Sequence, residues 1–244
     1  MLKYKCVYQA IIELQYKSTM PVELLAVKLS DSLSSEYNVP YRTPVQDVPQ
    51  IVRQNTPGLE KAICYYIKSK HDIFNIGIGQ GIISLQIINF SYRTWNVFIN
   101  EFKKIYEKIN SYINTSERIG VRYINVFDSN VLTNLNIDLN VYKESILKQP
   151  LVLTWQNEEN KHIIKTSLIN KAVINYNDLQ TGEPKVISDA SIVDIDCIFS
   201  DLNGQSINLL DAINENHNIV KRHFFGLFSE DYIKNVLIPV EEDE

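Results

Sequence analysis

Arg118 and Arg122, four residues apart in SERIGVRY, and Asp194 and Asp196, two residues apart in VDID, are the side chains whose spacing could do chemistry. In an extended strand each pair shares one face, the arginines about 13 Å apart and the aspartates about 6–7 Å. Two arginines on a sheet can receive a phosphate or a carboxylate, because each guanidinium presents a planar fork of donors. Paired carboxylates can hold Mg²⁺ with help from a phosphate substrate. Nucleotidyltransferases use such a pair, but they need a Gly-Ser turn and a helix upstream, and neither occurs here. Pairing of the arginines with acidic residues of a neighbouring strand is the default, with Arg122 expected to meet Asp194 or Asp196 as the more buried arginine and Arg118 nearer the rim, and the four residues stand as candidates for a ligand site or for structural ion pairs.

The remaining motifs are weaker. GIGQG at 77–81 looks like a fragment of a phosphate loop, but IISLQIIN follows it where a Rossmann turn needs a helix. A hairpin turn or bulge explains these glycines better. No GxxxxGK[ST] and no GxSxG occurs, so neither a P-loop nor a hydrolase elbow is indicated. His217 sits on the apolar stripe of a helix, and His223, six residues on, lies off it. Metal-binding helical pairs use a spacing of four, so His217 is expected as a core or edge histidine with one hydrogen bond. Cys6, Cys64 and Cys197 are far apart and form no CxxC. These patterns supply no catalytic residue, no metal site and no cofactor, and point away from an enzyme.

Composition agrees. The chain has 244 residues, 45% hydrophobic and 22% charged, with a net charge of −5. That length buries a core without disulfides or metal. The negative charge argues against a nucleic-acid binder that works by bulk charge. No apolar run reaches the roughly 18 residues of a membrane helix, and Glu13 interrupts the opening apolar stretch, so no signal peptide is read. With an odd number of scattered cysteines, a reduced cytoplasmic protein is expected. Gly contributes only 8 residues, which argues against a doubly wound nucleotide-binding fold.

These residues need elements to position them. Residues 6–16 alternate as a strand, with Tyr8, Ala10, Ile12, Leu14 and Tyr16 on one face. Pro21 opens a helix carrying Val22, Leu25, Leu29 and Leu33. A Pro-rich loop with an edge strand follows, then strands at 61–68 and within 72–89. A helix over 91–113 shows Trp95, Phe98, Phe102, Ile105, Ile109 and Tyr112 as its stripe, with Ser91 as N-cap. Strand 117–127 comes next, and 128–149 has no assignable pattern. Strands 150–157 and 161–176 read as a hairpin turning at Asn157–Asn160, and 186–199 as a further strand. A helix over 208–225, capped by Asn208, carries Leu210, Ile213, His217, Val220 and Phe224, and a short helix starts at Ser229. The expected fold is α+β: a curved antiparallel sheet with two long amphipathic helices packed on one face, in two loosely similar halves. Residues 1–240 form one domain, with halves at about 1–128 and 148–240, and 241–244 form an acidic tail.

ERIGVRYINVF, following a helix that opens Ser-Tyr-Arg-Thr-Trp, carries a resemblance. The chain resembles, along nearly its whole length, a sporadically distributed bacterial family of uncharacterised proteins of about this size with a G(L/V)RYIN strand. The matching residues are VYQAIIELQY at the start, Tyr92 and Trp95, Gly120, Tyr123 and Asn125 within GVRYIN, Val193 to Asp196, and His217 to Phe228. Gln9-Ala10 depart from the family's usual acidic pair. The resemblance implies mobile genes, often of phage-defence or toxin–antitoxin modules, and no catalytic residue. The leading expectation is a non-enzymatic cytoplasmic protein that binds another protein, with self-association as a further option and no membrane. The alternative is a sensor or enzyme for a phosphorylated or nucleotide ligand that uses the Arg/Asp cluster.

Overall fold

Alternation in VYQAIIELQYK makes β1 (Val7–Lys17), which buries Ala10, Ile12, Leu14 and Tyr16 on one face. The computed structural model describes residues 6–71, 73–141, 144–178, 181–200, 202 and 208–237. The acidic tail at 241–244 lies outside these residues. After β1 come α1 (Val22–Ser32), β2 (Tyr41–Arg42), α2 (Gln50–Asn55), β3 (Ile63–Lys68), β4 (Phe74–Gly79) and β5 (Ile82–Ile87). Then follow α3 (Trp95–Ile109), β6 (Thr115–Phe127), β7 (Asn140–Val141), β8 (Glu144–Ser145), β9 (Leu151–Glu159), β10 (His162–Asn177), β11 (Pro184–Phe199), α4 (Leu209–Gly226) and α5 (Glu230–Tyr232).

The fold is α+β. Nine strands form one open antiparallel sheet in the order β2-β3-β4-β5-β1-β6-β11-β10-β9, and β7 and β8 pair separately. GIGQG is the β4–β5 turn, where Gly81 has φ 67. A Cβ on Gly79 would stand 2.3 Å from the Ala62 carbonyl oxygen, so that position has room for glycine alone. One core unites Ile12 and Leu14 of β1, Val121 of β6 and Ile195 of β11 with Leu25 and Leu29 of α1, Phe98 and Phe102 of α3, and Ile213, Val220 and Phe224 of α4.

The other face of the sheet is polar along β1, β6 and β11, and apolar at one end. There β10 and β11 outrun their neighbours: β9 stops opposite Asn170, and β6 stops opposite Ser191. Register shifts flank Ala172, and Lys171 (φ 58) and Asp189 (φ 56) adopt left-handed backbone. Such bulges bend a strand pair. The arm beyond them packs Ala172, Ile174 and Ile187 with Tyr8, Phe90, Ile124 and Ile192, and Tyr176 meets the edge of Phe90 at 5.2 Å. Ile124 and Ile192 share their strand faces with Arg122 and Asp194, so the arm walls one end of the charged surface.

Several expectations are corrected. α3 is capped by Thr94, whose side chain accepts from the Val97 N–H, rather than by Ser91. It ends at Ile109 with a 3-10 turn beyond, because the chain must reverse into β6. The Pro-rich stretch hides a short helix, α2. β9 runs on to Glu159, and the turn is Asn160–Lys161, both with positive φ. A register shift between Val7 and Gln9 turns Tyr8 out of the main core towards Phe90. Leu210, in the first turn of α4, is half-buried, and Ala212 and Ile213 are the first residues of that helix to reach the core. Within 128–149, Val131, Leu132 and Leu147 are buried on short 3-10 turns.

Candidate functional site

β6 carries both groups of singled-out residues, one on each face. Its even positions Arg118, Gly120 and Arg122 share the polar face, and its odd positions Ile119, Val121 and Tyr123 point to the core. β6 lies between β1 and β11 in the sheet, which sets the partners of each arginine. Across β11, Asp194 pairs in register with Ile124 and Asp196 with Arg122. Arg122 reaches Asp194 with both prongs of its fork: Nε donates to Oδ1 at 2.8 Å and Nη2 to Oδ2 at 2.6 Å. Two parallel charge-assisted bonds of this kind are the strong form of the contact. They hold the Arg122 guanidinium above its usual pKa, burial opposing.

Arg118 turns the other way, to β1. Its Nη1 donates to Glu13 Oε1 at 3.0 Å, and Glu13 also accepts from Gln15 at 3.1 Å. Arg122 was the arginine expected to be the more buried. The order is reversed: the Arg118 side chain is 28% exposed and that of Arg122 42%. Arg118 is held towards β1 by Glu13, and the space over Gly120 lies between its Nη2 and Asp196 Oδ1, 4.0 and 3.6 Å from where a Cβ would stand. Asp196 makes no hydrogen bond or ion pair among the described residues, and is half-buried beside both arginines. Burial pushes its pKa up, and the charges of Arg118 and Arg122 draw it back down. The row Glu13–Arg118 and Arg122–Asp194 with Asp196 between them therefore already neutralises both guanidinium groups. Glu13 is the member that the sequence reading passed over; its signal was a lone carboxylate among the apolar residues of the first strand.

On the core face, Tyr92, Trp95, Tyr123 and His217 meet in one cluster. The Tyr92 and Tyr123 hydroxyls are 3.1 Å apart, and Tyr123 shares a 3.0 Å hydrogen bond with His217 Nδ1. The His217 ring stacks on Trp95, and Trp95 Nε1 donates to Asn214 Oδ1 at 2.7 Å. Burial, with a smaller push from Lys221, lowers His217 to about 4, so the ring is neutral at pH 7. Asn125 lies deeper, where it donates to the Val193 carbonyl at 3.2 Å and accepts from Cys6 Sγ at 3.5 Å. The cluster joins α3, β6 and α4. Asn214 was missed, because an asparagine on a helix flank carries no signal until its partner is placed. His223 stands apart and bonds Glu159 at 3.1 Å. The described residues hold no group of three or more metal-ligating side chains, and none of their helices is long and apolar enough to cross a membrane. No protein-family model matches this chain, and no curated protein matches it.

Proposed function

We propose that this chain is a non-enzymatic protein-binding module that takes an extended segment of its partner along β9. A single observation carries the reading: β9 is a nine-residue strand at the edge of an open sheet. A two-residue turn at Asn160–Lys161 makes Glu159 and His162 a hydrogen-bonded pair. Alternation from there directs the backbone groups of 157, 155 and 153 to β10, and those of Glu158, Gln156, Thr154 and Val152 outward. All four of these outward residues are exposed, and Val152 is 70% exposed. A long unprotected edge is a template for strand addition, in which backbone bonds give affinity and alternate side chains give specificity.

The wider reading is a cytoplasmic protein of a phage-defence or toxin-neutralising module, supported by the resemblance and by the meeting of Tyr92, Trp95, Tyr123 and His217 in one cluster. It takes α3 and α4 as two long amphipathic helices on one face of a curved sheet, with loosely similar halves at 1–128 and 148–240. The rival, a receptor for a phosphorylated ligand, would have to break Arg118–Glu13 or Arg122–Asp194 to free a guanidinium. A photo-crosslinking residue at 156, expressed in the native host, tests the proposal. A discrete protein adduct at 156, absent from 27 on the exposed side of α1 and abolished when Thr154→Pro is added to the chain that carries the crosslinker at 156, is expected. Proline is tolerated on an edge whose N–H faces outward, so the fold should survive. Equal labelling at 27 and 156 would sink the edge as the docking site.

A further inference from the structure

Arg53 is the only residue that α2 buries, and it is 8% exposed. Its Nη1 donates to Cys64 Sγ at 2.6 Å, while its Nε is buried with no acceptor among the described residues. It makes no ion pair with a carboxylate among the described residues. The backbone N–H of Gln80, in the glycine-rich turn, favours the charged form of the Cys64 sulfur weakly, and the thiol itself makes a long 3.6 Å contact to the Ala62 carbonyl. A guanidinium does not release its proton, so burial calls for a counter-anion. A thiol is an uncharged and weak acceptor. The donors of an anion site therefore converge on a sulfur that carries no charge.

We propose that Cys64 is an oxidation site at which hydrogen peroxide converts the thiol to a sulfinate held by Arg53. In the first step one peroxide oxygen goes to sulfur: the S–O bond forms as the O–O bond breaks, and sulfur gives up two electrons. The displaced hydroxide takes the thiol proton and leaves as water, and the product is sulfenic acid. A second peroxide repeats the transfer, a second water leaves, and the sulfinic proton passes to solvent. The new oxygens supply the acceptor that Nε lacks, and the negative charge offsets the guanidinium.

The cover over Cys64 is thin. α2 has six residues, follows Pro49 and has no side-chain cap; its Ile51 and Val52 are exposed. Local opening of so short an element admits a small oxidant without global unfolding. Cys6 and Cys197 are as buried as Cys64, but they face the uncharged side chains of Asn125 and Asn216. Burial pushes both up to about 12. Burial raises Cys64 as well, but there Arg53 pulls it back down. The three cysteines are alike in solvent exposure, and Cys64 differs from the other two in its cation and in the thinness of its cover.

Peptide mass spectrometry after graded hydrogen peroxide tests the proposal on the full folded chain. Cys64 is expected to gain two oxygens at least about tenfold faster than Cys6 or Cys197. A Cys64 that stays reduced, or that oxidises no faster than the other two, overturns it, and this comparison needs no variant. Melting gives a second readout. Oxidation should leave the wild-type Tm unchanged or raised, and should lower it in Arg53→Met, where the sulfinate has no cation. An equal fall in both proteins overturns the role of Arg53.

Discussion

His217 lies flat on Trp95, with ring centroids 4.0 Å apart and planes within 4°. The stack joins the first turn of α3 to the middle of α4, and the Tyr123 bond ties both to β6. A charged imidazolium here would lose water and gain no carboxylate, since the ring's polar contact is a tyrosine hydroxyl.

Stability should therefore fall in mild acid. His217 titrates near 4 in the folded chain, against an ordinary value of 6.5. Between those values the unfolded chain holds the proton and the folded chain does not. The stabilisation is complete above pH 6.5 and is lost as pH falls towards 4, at most about 3 kcal/mol in all. Urea melts at pH 7 and pH 4.5 should show the loss, and His217→Gln should flatten it. An unchanged slope in His217→Gln would place the acid sensitivity elsewhere.

The core prediction is simpler. Phe102 is 1% exposed in the middle of α3. Phe102→Ala should cost about 3–5 kcal/mol, the usual range for emptying an aromatic site. A loss well under about 1 kcal/mol would mean that the site collapses around the smaller side chain or that α3 packs differently.

Purified protein should carry no stoichiometric divalent ion. His217 is engaged by Trp95 and Tyr123, Asp194 by Arg122, and Glu13 by Arg118. Elemental analysis that finds one Zn²⁺ or Mn²⁺ per chain, lost in His217→Gln or Asp196→Asn, would contradict this arrangement.

β6 and α3 were legible because each buries one face over many residues, which writes a period of two or of about three and a half into the sequence. α2 was not, because six residues make less than two turns and hold a single buried side chain. The bent arm was hidden for another reason: its left-handed residues are Lys171 and Asp189, not glycines. A register shift of one residue then sent Tyr8 to the opposite face. At the polar face, alternation placed Arg118 beside Arg122, but it could not order their depths. That order depends on Glu13, which comes from a strand 105 positions away.

The Arg122–Asp194 pair yields the most discriminating measurement. Asp194 is 17% exposed and Arg122 42%, so the pair is partly screened and worth less than a fully buried one. Arg122→Ala should cost roughly 1–3 kcal/mol, below the range for stranding a buried charge. The loss should exceed that of Asp194→Asn. Removing the arginine leaves Asp194 without its cation beside Asp196 on one face, whereas removing the carboxylate leaves a guanidinium with access to water. The excess should shrink in acid, as Asp196, whose pKa burial pushes up, takes up its proton. A double-mutant cycle isolates the coupling of the pair. If Arg122→Ala left melting unchanged at pH 7 yet abolished binding of a phosphorylated ligand, the ion pair would be incidental and the rival receptor reading would take its place.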